Sequence, residues 1–83
     1  LVNRVLAKSE LAAFVDEVVG QIAENAPLTL RAAKQAFGDA GRPLDQRDPT
    51  GVDAAVRACF ESEDYQEGVR AFMEKRRPVF RGR

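Results

Sequence analysis

Two pairs of adjacent carboxylates, a single thiol and a run of cations are the groups in this sequence that could do chemistry. The pairs are Asp16-Glu17 and Glu63-Asp64. Such a pair acts as general acid and base when one member sits in a partly desolvated pocket. The spacing here points elsewhere. Asp16 and Glu17 fall on the polar face of a helical pattern. Glu63 and Asp64 open another pattern, where the helix dipole favours negative charge. Both pairs are therefore read as structural. Histidine is absent, which removes the usual general base and the commonest metal ligand. Cys59 is the only cysteine, so no internal disulfide can form, and a reducing, cytoplasmic setting is the expectation. It lies on an apolar stripe and is read as a buried small hydrophobe, not a nucleophile. There is no Gly-rich phosphate loop, zinc spacing or nucleophile elbow. No catalytic residue and no metal site are expected.

The cations gather at the end. Lys75, Arg76, Arg77, Arg81 and Arg83 are five of the thirteen basic groups, and residues 75–83 hold no acid. Residues 1–74 carry eight basic against thirteen acidic groups, a net of −5, so an acidic body leads into a cationic tail. Cations interleaved with Phe80 suit a nucleic-acid arm, with charge on phosphates and a base on the ring. They equally suit the phosphates of a nucleotide-like cofactor. A solvated basic terminus needs no ligand.

The elements that would position these groups are helical. Ser9 is a candidate N-cap. Leu11, Phe14, Val15, Val18, Val19 and Ile22 then recur at helical spacing, the clearest periodicity in the chain. This helix should end near Asn25, because the residue before Pro27 avoids the α region. Pro27 opens a second helix, with Leu30, Ala33 and Phe37 on its stripe and Gly38 and Gly41 at its end. Residues 38–48 read as the longest loop. Asp48-Pro49 caps and opens a third helix carrying Val52, Ala55, Val56, Cys59 and Phe60. Ser62 caps a fourth, with Tyr65, Val69, Phe72 and Met73 on one stripe. Pro78 should stop it near Arg77. Gly68 inside this helix costs about 1 kcal/mol relative to alanine and is read as a close contact with another helix. Val79 and Phe80 then need a partner surface in this chain or another.

The fold class is all-α: a small four-helix array with the last two helices nearly continuous. At 83 residues the chain is at most one small domain and marginal alone. Its apolar stripes exceed what it can bury, which predicts self-association. No apolar run approaches the ~20 residues of a membrane span.

Three motifs carry a family resemblance. The first is Ser62-Glu63-Asp64, then Glu67-Gly68, then Ala71 through Arg83. The second is Asn25-Ala26-Pro27-Leu28, continued by Arg31-Ala32-Ala33-Lys34. The third is the opening Leu1-Val2-Asn3-Arg4-Val5. Together they resemble the C-terminal end of the enoyl-CoA hydratase/isomerase (crotonase) family over nearly the whole chain. The resemblance, with a start at Leu1 and no methionine, implies a fragment. Residues 1–7 would be the extended end of an upstream core domain, and 8–83 the C-terminal helical domain.

The parent would be a lyase of fatty acid metabolism, most plausibly adding water to a 2-enoyl-CoA. Isomerases, dehalogenases and decarboxylases share this terminus. The resemblance implies coenzyme A as part of the substrate and no tightly bound cofactor. The family's oxyanion hole and its two hydratase glutamates lie upstream, so the fragment alone is expected to be inactive. Phe72 and Lys75 match the Phe-x-x-Lys step that helps bind coenzyme A, often from a neighbouring subunit. Phe72 also fits the core stripe, and Lys75 is the better candidate for a phosphate. The family often has an aromatic where Val56 stands. Expected partners are an acyl-CoA, the upstream core and further copies in a trimer or hexamer, with no nucleic acid and no membrane. The competing reading is a free-standing helical module with a nucleic-acid-binding tail.

Overall fold

The computed structural model describes residues 2–83, so Leu1 of the opening segment lies outside the described residues. The four expected helices form: α1 (Lys8–Ala23), α2 (Pro27–Ala40), α3 (Pro49–Phe60) and α4 (Glu63–Met73). Among the described residues there is no strand, and residues before α1 run without regular structure.

Local chemistry explains the helix ends. α1 begins one residue before the expected Ser9 cap. The Glu10 carboxylate reaches back to accept the Ala7 N–H at 3.3 Å, and no side-chain cap is needed from Ser9. At the other end Asn25 Nδ2 donates to the carbonyls of Gln21 (2.7 Å) and Ile22 (3.3 Å), satisfying acceptors that the helix leaves open. Pro27 then opens α2. Gly38 lies inside α2 and does not end it; Gly41 is the C-cap.

The Gly/Pro-rich connection is tied down. It contains a short 3-10 turn at Leu44–Gln46. Arg47 donates to the carbonyls of Arg42 (3.1 Å) and Ala40 (2.9 Å), and the Asp39 carboxylate accepts the Asp48 N–H at 2.7 Å. Asp48 caps α3 by accepting the Gly51 N–H at 2.9 Å. A β-carbon at position 51 would collide with that carboxylate, so a larger residue there would make the Asp48 side chain shift. Ser62 joins α3 to α4. Its hydroxyl donates to the Cys59 carbonyl at 2.6 Å and accepts the Tyr65 N–H at 3.0 Å. Phe60 and Tyr65 meet edge to face across the joint, 5.3 Å between centroids.

Helix packing is concentrated in α2 against α3, and α3 meets α4 mainly at their joint. Ala32 and Ala71 are the fully buried apolar residues among those described. The stripe of α1 is largely uncovered: Leu11, Val15, Val19 and Ile22 are exposed, and Phe14 carries the Arg4 guanidinium 4.7 Å above its ring.

The shape follows. The radius of gyration is 16.4 Å, where a compact chain of this length has about 12 Å. The accessible surface is 7181 Å², where a compact monomer of this mass exposes about 4,900 Å². The molecule is a plate of helices with apolar faces open, not a closed bundle.

Candidate functional site

The functional candidates converge on the end of α4 and the tail beyond it. α4 stops at Met73, four residues before the expected Arg77. The stop is a Schellman turn: the Lys75 N–H bonds to the Phe72 carbonyl (3.2 Å) and the Arg76 N–H to the Ala71 carbonyl (3.0 Å). Lys75 therefore occupies the left-handed position, φ 53°, where glycine is the usual residue. It is not one turn further along a helix from Phe72, as the Phe-x-x-Lys spacing implied, but on the turn that closes the helix.

Arg76 locks that turn. It grips Glu67 through both terminal nitrogens (2.6 and 3.0 Å) and Glu74 through Nε (2.6 Å). Glu67 also accepts the Val79 N–H at 3.0 Å. The Arg76 hydrogen bonds, then the Val79 amide, hold the Glu67 carboxyl at about 2, well below the usual carboxylate value, and the Arg76 guanidinium is raised in turn.

From Val79 the tail runs back along α4. The two oxygens of Asp64 accept the N–H groups of Arg81 (2.6 Å) and Gly82 (2.7 Å), and the Asp64 N–H donates to the Arg83 carbonyl at 3.0 Å. Asp64 is only 3% exposed. The Glu63-Asp64 pair is thus more than dipole chemistry at a helix start, since Asp64 binds the tail backbone. Both Asp64 oxygens are occupied, so it is no free base. Gly68 faces Phe80, not another helix: a β-carbon there would stand 3.6 Å from Phe80 Cε1. Phe80 finds its partner surface within this chain, while Val79 remains exposed.

Nor is the tail simply solvated. Arg76 pairs with Glu67 and Glu74, Arg77 with Glu24 at 3.4 Å, and Arg83 with Glu63 at 3.0 Å. Among the described residues, Lys75 and Arg81 have no carboxylate within ion-pair distance. Three of the tail's five cations are thereby paired with acids of the body, Glu24, Glu63, Glu67 and Glu74, which disfavours the nucleic-acid arm.

Phe72 departs furthest from expectation. It is 82% exposed and packs in no core. Its ring stands at the rim of an open apolar groove of about 620 Å³. Ala32 and Ala36 of α2, Val56 and Cys59 of α3, Val69 of α4 and Phe80 of the tail are among the residues that form its wall. Cys59 is half-buried in that wall, not fully enclosed, and its thiol donates to the Ala55 carbonyl at 3.3 Å. Among the described residues no cluster of histidine, cysteine or acid could hold a metal ion. None of the helices among the described residues is long and apolar enough to cross a membrane.

The sequence reading located Phe72 and Lys75 but missed Asp64, Glu67 and Arg76. Asp64 and Glu67 lie three apart on one helix face, but nothing in the residue types shows that the chain turns back after Met73 and brings the Val79, Arg81 and Gly82 amides to them.

The whole chain, residues 1–83, matches the family model described as enoyl-CoA hydratase/isomerase. The chain belongs to the enoyl-CoA hydratase/isomerase family. It is 34% identical over 84 residues to the methylmalonyl-CoA decarboxylase of Escherichia coli (strain K12), covering 99% of this chain and 32% of that protein. It is 36% identical over 87 residues to the carnitinyl-CoA dehydratase of Salmonella typhi, covering 100% of this chain and 33% of that protein. Its fold matches a probable enoyl-CoA hydratase/isomerase from Mycobacterium abscessus with a TM-score of 0.80 at 29% identity, over 99% of this chain and 32% of that one. An enoyl-CoA hydratase/isomerase from Mycobacterium paratuberculosis gives 0.79 at 25% identity, over the same shares. The chain thus spans about a third of the length of these relatives. The all-α expectation and the family resemblance hold together.

Proposed function

We propose that this chain is the C-terminal helical segment of an enzyme that acts on an acyl-CoA thioester and adds water to a 2-enoyl-CoA. In this reading the segment supplies subunit contacts and part of the coenzyme A site but no catalytic group. The observation that carries the reading is the match of all 83 residues to the enoyl-CoA hydratase/isomerase family. Two features support the division of labour. Asp64, the one buried carboxylate among the described residues, spends both oxygens on the tail. The surface of 7181 Å² exceeds that of a compact chain by about 2,300 Å², the scale of an obligate interface.

Lys75 is the phosphate ligand in this proposal. Its ammonium has no carboxylate partner among the described residues, and the turn that carries it is fixed by Arg76 on Glu67. A helix C-terminus repels anions, so the attraction must come from the ammonium itself. Exposed Phe72, three residues earlier, offers a face for the adenine or the acyl chain.

Decarboxylation is the second reading, favoured by the likeness to a methylmalonyl-CoA decarboxylase. Both reactions pass through charge on the thioester oxygen, which an oxyanion hole stabilises. Product analysis of the full-length enzyme with crotonyl-CoA and with methylmalonyl-CoA separates them. The 83-residue chain alone should hydrate no crotonyl-CoA, and turnover above the buffer blank would overturn the assignment of a non-catalytic role.

A further inference from the structure

Residues 79–82 lie along α4 through contacts that no helix requires. The Val79 N–H is held by Glu67, and the Arg81 and Gly82 N–H groups by the two oxygens of Asp64. The Asp64 N–H that meets the Arg83 carbonyl is one of the donors a helix leaves open at its first turn. Phe80 rests on the bare backbone of Gly68, and left-handed Gly82 (φ 76°) brings its backbone against Pro27. We propose that Asp64 and Glu67 form a two-point latch, that residues 79–82 are a strap which opens and closes on α4 without unfolding the helices, and that Phe80 on the strap is a movable wall of the apolar groove.

Three features make strap and helices separable. First, the α4 cap is supplied by Ser62, so α4 keeps its start when the strap leaves. Second, the strap is fastened by two side-chain carboxylates, one ring, the contact of Gly82 with Pro27 and a single backbone bond at Arg83, whereas the helices hold continuous backbone ladders. Segments with few buried apolar contacts open at lower free energy than the fold around them. Third, release does not strand a buried charge. The strap passes over Asp64, so opening returns that carboxylate to water. The consequence concerns the groove. Phe80 lines it together with Val56, Val69 and Phe72, so its width on the α4 side depends on whether the latch is shut. The inference stands independently of the acyl-CoA reading, since it uses only contacts within the chain.

Amide hydrogen exchange of the protein, read residue by residue by NMR, tests it. The amides of Val79, Arg81 and Gly82 should be protected relative to an unstructured chain yet exchange faster than those in the middle of α2 and α3. Asp64→Asn keeps the size of the side chain but replaces one acceptor by a donor. It should speed the Arg81 and Gly82 amides at least about tenfold and leave α2 and α3 unchanged. Gly68→Leu fills the seat of Phe80 with both carboxylates intact, and leucine favours the helix. It should release the Val79, Arg81 and Gly82 amides together. Unprotected strap amides in the wild type would remove the latch. Equal acceleration of strap and helices in Asp64→Asn would make the strap part of one cooperative unit. Strap protection unchanged by either substitution would remove Asp64 or Phe80 from the device.

Discussion

α1 and α4 both carry apolar stripes, yet they differ in what the rest of the chain offers them. α1 presents Leu11, Val15, Val19 and Ile22 to open space, and its tie to the tail is the exposed Arg77–Glu24 pair. An exposed pair of this kind is worth at most about 1 kcal/mol. α4 also leaves Phe72 and Met73 uncovered, but its other face binds the returning tail through Asp64, Glu67 and Gly68. The difference lies in polar groups. A stripe states that a helix has a partner and says nothing about where that partner is. Carboxylates spaced to meet backbone donors name the partner, because each N–H has a fixed direction and must be satisfied. In α1 and α4 the contacts closed within the chain are largely polar, and much of each apolar stripe points outward.

The largest effect expected at the polar end is acid release of the tail. The Glu67 carboxyl titrates at about 2 in the fold against 4.5 ordinarily. Its groups are the Arg76 guanidinium and Val79 N–H, then Arg70 at longer range, with Glu74 sharing Arg76. A lowered folded value means the contribution is complete above the ordinary value and disappears as pH falls through the folded one. Protection of the Val79 amide should therefore be flat above pH 4.5 and decline towards pH 2. In Glu67→Gln protection should be weak at every pH and lose this acid step. A step of the same size in the variant would assign it to other carboxylates.

A smaller effect concerns Lys75. In the full-length enzyme Lys75→Ala should raise the apparent Michaelis constant for acyl-CoA several-fold, the equivalent of about 1 kcal/mol. Turnover should change little, because the contact is the same in ground and transition states. Added salt should erase the difference. Unchanged kinetics at low salt would remove Lys75 from the site.

Much of this was legible in the sequence. Pro27, Asp48-Pro49 and Ser62 marked three helix starts because capping is local chemistry. Phe72 was misread for a physical reason. Its position on the stripe is fixed by spacing, but burial depends on what faces the stripe, and at Phe72 nothing among the described residues covers it. α4 was read four residues too long because Pro78 is a conspicuous breaker, whereas the real stop is a left-handed Lys75 that no propensity favours. Asp64 was assigned to the helix dipole because its true partners are backbone amides seventeen and eighteen residues away. Such amides leave no mark on residue type.

The central claim is that the open apolar faces, α1 above all, are covered by protein outside this chain's own fold. Sedimentation equilibrium of the 83-residue chain, with Val19→Asp as its control, tests this most directly. The account predicts that the wild type associates with rising concentration, burying α1 against other copies when nothing else is offered. Val19→Asp should shift it towards monomer while costing the monomer itself no more than about 0.5 kcal/mol, since Val19 is already exposed. A well-folded wild-type monomer at high micromolar concentration, or a monomer strongly destabilised by Val19→Asp, would contradict the account. Either result would mean that α1 finds its partner within the chain.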